Sequence, residues 1–152
     1  MSLSMSGAEV GDVPHRTAGQ YLSLIAGVLF LLLAVGGFVV SGFSDPTGSN
    51  HQQQVVGFAV NPLSNAVHLV LGLLGVAAYT GRRRARAYGL LLFVACAALY
   101  AYGSVVADDP VGNPLNLNWP VNVLHAVAAV LGVLIALVPV KLGRPPSTAE
   151  LR

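Results

Sequence analysis

Four stretches of the chain are apolar from end to end, and short polar stretches separate them. Tyr21 to Val40 has no charged residue and is dense in Leu, Val and Ala. Pro62 to Thr80 follows the same pattern, broken by Asn65 and His68. Ala87 to Ala107 lies uncharged between Arg86 and Asp108, and Val121 to Val140 closes the set. Each run holds about 19–21 residues, which at about 1.5 Å of rise per residue crosses a hydrocarbon core of roughly 30 Å. The runs lack the alternation of a transmembrane barrel, so a backbone satisfied inside lipid must be helical. The pattern predicts helices over about 18–42, 62–80, 86–107 and 120–140, within a membrane domain at 17–142. Residues 1–16 and 143–152 read as polar tails. The first apolar run exceeds the roughly 7–15 residues of a signal-peptide core, so it is expected to be a retained helix despite the small residues near Val40.

Two of the runs carry polar residues in the same order. "VNPLSNAVHLVLGLLG" begins at Val60, and "LNWPVNVLHAVAAVLG" begins at Leu117. Asn61, Asn65 and His68 in the first match Asn118, Asn122 and His125 in the second, and Gly75 matches Gly132. The spacing i, i+4, i+7 places each triplet on one helical face. Asn61 before Pro62 suits an N-cap followed by proline in the first turn, and Asn118 with Pro120 can play a similar part. Both histidines then lie about 10 Å along their helices from the cap, at equal depth. Polar groups there cost free energy unless paired, so they should turn inward. The expected partners are Asn side chains, backbone carbonyls or tyrosine hydroxyls. Upstream, Tyr21 aligns with Tyr88 and Gly36 with Gly103. The chain therefore reads as two tandem helical pairs that enter the membrane the same way, a parallel repeat.

Charge gives the direction. Charged residues make up only 9% of the chain, against about 25% in a soluble domain, so the surface suits lipid. All eight basic residues sit at alternate ends of the spans: Arg16 before the first, Arg82, Arg83, Arg84 and Arg86 between the second and third, and Lys141, Arg144 and Arg152 after the last. Asp45, Asp108 and Asp109 occupy the other two links. This asymmetry predicts both termini and a basic loop in the cytoplasm of a bacterial inner membrane. The arginine run also offers a site for anionic lipid or a partner, though orientation alone explains it. A net charge of +2 gives no reason to expect nucleic acid, and Cys96, the single cysteine, excludes an intrachain disulfide.

No enzyme motif is present, whether G-x-S-x-G, H-E-x-x-H, a Walker loop or a dinucleotide fingerprint. No Asp or Glu lies inside a span, which disfavours a coupled ion transporter. His51 and His15 read as solvated, and Cys96 as a small packing residue. Trp119, Tyr21, Tyr79 and Tyr88 read as interfacial aromatics. Gly27, Gly36, Gly37, Gly72, Gly75, Gly103 and Gly132 read as points of close helix approach. The loop pieces "VVGFAV" and "PLNL" are apolar enough to fold back over the Asn caps.

The segments "GFAVNPLSNAVHLVLG" and "LNLNWPVNVLHAVAAVLG" resemble the actinobacterial family called domain of unknown function 4383, and the resemblance extends over roughly Tyr21 to Val140. It implies an integral membrane protein with four spans and no assigned activity. It also implies a second His at the position of Ser64 and an acidic residue at that of Val121 in other members. Their replacement here weakens a metal site.

The resulting expectation is an all-α, integral membrane four-helix bundle with both termini cytoplasmic. Its role is non-enzymatic, and a buried cluster of Asn61, Asn65, His68, Asn118, Asn122 and His125 organises the bundle or a partner interface. No cofactor is expected. Besides the lipid bilayer, the expected partners are a second copy or another membrane protein. The alternative is a redox or small-molecule subunit that binds haem, metal or another ligand through His68 and His125. Two ligands are few for zinc, which takes three or four from protein, but suffice for bis-histidine haem.

Overall fold

A computed structural model describes residues 15–109 and 111–139. The two polar tails, together with Lys141, Arg144 and Arg152, lie outside the described residues apart from His15 and Arg16. The fold is mostly helical, with α1 (Ala18–Ser41), α2 (Pro62–Ala78), α3 (Arg82–Val106) and α4 (Trp119–Leu137). Two short strands, β1 (Gln54–Val55) and β2 (Phe58–Ala59), pair antiparallel between α1 and α2.

Local chemistry explains the helix starts. Thr17 and Gln20 form a capping box that opens α1. Asn61 caps α2, with Ser64 completing the reciprocal box and Pro62 in the first turn. Asn118 caps α4, with Pro120 in its first turn. Each cap satisfies N–H groups that a helix leaves without partners at its start.

Two expectations need correction. α2 ends at Ala78 rather than Thr80 and has 17 residues, a length of about 25 Å. Among the described residues, α1, α3 and α4 are the helices long and apolar enough to cross a membrane by length and composition. Second, the arginines do not form a loop. The chain turns within Tyr79–Thr80–Gly81, and Arg82, Arg83, Arg84 and Arg86 belong to the first turns of α3. The loop piece "VVGFAV" takes part in a β-hairpin, and its Gly57 carbonyl and Ala59 N–H meet the Asn118 cap. Val56 (φ 51°) and Gly57 (φ 86°) both take positive φ, the mark of the type I′ turn whose twist suits a tight hairpin.

The helices associate as two tight hairpins, α1 with α2 and α3 with α4, which meet each other more loosely. Glycine makes the tight contacts. A Cβ on Gly27 would stand 2.6 Å from the Val76 nitrogen and 2.8 Å from the Gly72 carbonyl oxygen. One on Gly132 would stand 2.5 Å from the Phe93 nitrogen and 2.6 Å from the Gly89 oxygen. Backbone thus meets backbone, as where small residues line membrane-helix interfaces. Phe30, Leu71, Leu92, Cys96, Ala128 and Ile135 belong to one apolar core to which all four helices contribute. The outer face is apolar too: Leu29, Leu32, Val39, Val94, Val105, Val127 and Leu137 are all more than half exposed. Helices apolar on both sides belong in lipid.

Candidate functional site

The six polar residues singled out on α2 and α4 are all buried, at three depths, and only His68 and His125 touch each other across the two helices. The upper layer lies where α2 and α4 begin. Asn61 Oδ1 accepts from the Ser64 N–H at 2.8 Å, while its Nδ2 donates to the carbonyls of Gly48 (3.1 Å) and Pro114 (2.8 Å). Asn118 Oδ1 accepts from the N–H groups of Val121 and Ala59, both at 3.2 Å, and its Nδ2 donates to the Gly57 carbonyl at 2.9 Å. Each cap therefore holds its own helix and also grips the loop that leads into the other hairpin's second helix.

Asn116 and Asn113 join this layer, and nothing in the repeated motif pointed to them. Asn116 adopts φ 52° and donates through Nδ2 to the carbonyls of Asn50 (3.0 Å) and Val60 (2.9 Å). Asn113 exchanges two hydrogen bonds with the Leu117 backbone at 2.7 and 2.8 Å. The available signal was the Asn-rich loop "GNPLNLN" itself, since Asn tolerates positive φ and can bond backbone groups. Val60 and Leu117 are buried beneath these amides. His51, expected in solvent, is half-buried, with its Nε2 enclosed. Trp119 is half-exposed and donates to Asp108 at 3.2 Å.

One turn deeper, each remaining Asn rests against a glycine of its partner helix. Asn65 packs on Gly37 and donates to the Ser41 hydroxyl at 3.0 Å. Asn122 packs on Gly103; with its amide oriented to satisfy both ends, Nδ2 donates to the Tyr100 carbonyl and Oδ1 accepts from the Ser104 hydroxyl, each at 3.2 Å. Gly37 thus stands to Asn65 as Gly103 stands to Asn122. Gly36, which aligns with Gly103 in the sequence, faces Val55 instead.

The lower layer is the histidine pair. Neither α2 nor α4 brings its backbone close to the other, yet His68 Nε2 and His125 Nε2 stand 3.4 Å apart. Phe30 of α1 stacks on the His68 ring at 5.6 Å between centroids. The histidines therefore meet each other rather than the expected Asn, carbonyl or tyrosine groups. Two neutral imidazoles can do so because each has one donor and one acceptor. A hydrogen bond between the two Nε2 atoms requires Nε2–H on one ring and a bare Nε2 on the other, that is, opposite tautomers. Neither Nδ1 has a hydrogen-bond partner. Tyr88, expected at the interface, is buried with its hydroxyl against Gly75 and without a hydrogen-bond partner.

The arrangement bears on what the pair can hold. Among the described residues no group of three His, Cys, Asp or Glu side chains could ligate a metal. Haem needs its plane between two axial nitrogens, whereas these are already within hydrogen-bonding reach. Metal-bound histidines almost always donate their second N–H to a fixed acceptor, and here both Nδ1 atoms lack one. The 3.4 Å separation itself is compatible with a shared ion, since two nitrogens each about 2.0–2.1 Å from zinc lie no more than about 4 Å apart.

The arginine end contrasts with this interior. Arg16 donates to the Tyr79 carbonyl at 2.7 Å and lies 3.9 Å from the centroid of its ring. Arg82 donates to the His15 carbonyl at 3.1 Å, and Arg84 to the Thr80 hydroxyl at 2.8 Å.

Comparison with curated proteins and with solved structures finds no match. A family model described as a domain of unknown function (DUF4383) matches residues 20–138, a span that takes in all four helices save the first residues of α1. The chain belongs to that family.

Proposed function

We propose that the chain is a four-span protein of the bacterial inner membrane, with both termini cytoplasmic, whose polar cluster clamps two tandem helical hairpins into one bundle. The role is non-enzymatic: the clamp supplies a rigid bundle, or a fixed face for a partner in the membrane. The observation that carries this reading is the reciprocal reach of the Asn side chains. Asn61 grips the loop before α4, and Asn118 and Asn116 grip the loop before α2. The tandem repeat draws support from the matching Asn-on-glycine contacts at Gly37 and Gly103. α2, though 17 residues long, spans with its caps and turn included.

A second reading has His68 and His125 hold a metal ion, and the 3.4 Å approach of their Nε2 atoms favours it. Purification in mild detergent, followed by a visible spectrum and elemental analysis, separates the two. The clamp predicts no Soret band and far less than one metal per chain. Stoichiometric metal would overturn it and establish the second reading, and a haem spectrum would overturn both.

A further inference from the structure

We propose that the groove between α2 and α3 at the arginine end is a binding site for an anionic phospholipid. One acyl chain would lie in the groove, with the phosphate at Arg84 and the start of α3. The groove is a cavity of about 280 Å³ with an apolar floor of Leu74, Ala77, Ala87 and Leu91, and Arg84 stands on its rim. It forms where the two hairpins meet loosely. Ala78 and Tyr88, each only 4% exposed, complete the lining.

Three observations choose the occupant. The first is charge. Arg16, Arg82, Arg83, Arg84 and Arg86 gather at this end, and Asp45, Asp108 and Asp109, the acidic residues among those described, lie in the loops at the other. The second is donor capacity. Arg84 spends one N–H on Thr80, and a guanidinium has five, in a fork that matches phosphate. The third is the helix start: Gly81 provides no side-chain cap for α3, and the positive end of the helix dipole lies within one turn of Arg84. A free anion would meet the cations but leave the groove unfilled. A zwitterionic lipid would fill the groove but bring its own cation among the arginines. An anionic phospholipid satisfies both parts.

The site rests on the membrane reading but not on the orientation, because detergent-solubilised protein presents the groove either way. Native mass spectrometry of the full chain in detergent can titrate phosphatidylglycerol against phosphatidylcholine of identical chains. The expected result is one retained phosphatidylglycerol, bound about tenfold more tightly than phosphatidylcholine, a difference of about 1.4 kcal/mol. Arg84→Gln should remove most of that preference. Ala87→Phe, which fills the groove and keeps every arginine, should weaken phosphatidylglycerol about tenfold, and exposed Ala77→Phe gives a second route to the same blockage. Equal affinity for the two lipids, wild-type affinity in both Phe variants, or displacement of the lipid by inorganic phosphate alone would overturn the proposal. Such failure with cysteine labelling still fitting four spans would leave the membrane reading intact.

Discussion

Single residues carry unequal burdens in this protein. Asn61 and Asn118 announce themselves in the sequence because a cap before proline has a recognisable form, and their burial follows from the helix each begins. What they grip was not legible, since the Gly48, Pro114 and Gly57 carbonyls are brought near only by the path of the loops. The same holds for the histidines. Spacing placed both at one depth facing inward, but their mutual contact depends on how far α2 and α4 stand apart, which no pattern within one helix encodes. Ser64 looked like a lost ligand and is instead half of a capping box. Val56 shows the opposite case, a residue at odds with its backbone. It is 91% exposed at φ 51°, where a β-branched side chain is a conformational outlier. Val56→Asn should therefore raise stability by about 1 kcal/mol, because Asn-Gly is the favoured type I′ pair. Thermal melting in detergent checks this, and an unchanged or lower midpoint would mean that the turn is not strained.

Elements were legible to different degrees. α1, α3 and α4 follow from length and hydropathy. The start of α3 does not: arginine is a good helix former, but Arg82, Arg83, Arg84 and Arg86 carry the charge of a polar link between spans. Helix register was also beyond reach: adjacent residues in an apolar run look alike, and only the contact of Gly37 with Asn65 shows which glycine faces inward. The β-hairpin was hidden because its turn carries Val-Gly where Asn-Gly or Asp-Gly would signal it. Close packing within each hairpin leads to a prediction. A methyl on Gly132 would meet the backbone of Phe93 and Gly89 at 2.5 and 2.6 Å, and backbone cannot yield as a side-chain tip can. Gly132→Ala should cost about 1–3 kcal/mol, the usual range for overpacking. A melting midpoint equal to wild type would show that α3 and α4 stand farther apart.

At the scale of the whole molecule, charge and polar contacts divide the labour. Arginines gather at one end and amides at the other, so orientation and clamping occupy opposite faces of the membrane in the proposed topology. Labelling tests the orientation. In a chain with Cys96→Ala, a cysteine introduced at Gly48 should react with an impermeant reagent in intact cells, and one introduced at Arg83 should not. Reaction at position 83 would invert the assignment. The clamp is the central claim, and its most direct test is a double-mutant cycle across the two hairpins. His68→Ala and His125→Ala should each lower stability in detergent by about 1–2 kcal/mol. Because the two rings bond each other, the double variant should lose less than the sum, with a coupling energy of at least about 0.5 kcal/mol. Strict additivity, or no loss from either single change, would contradict the account.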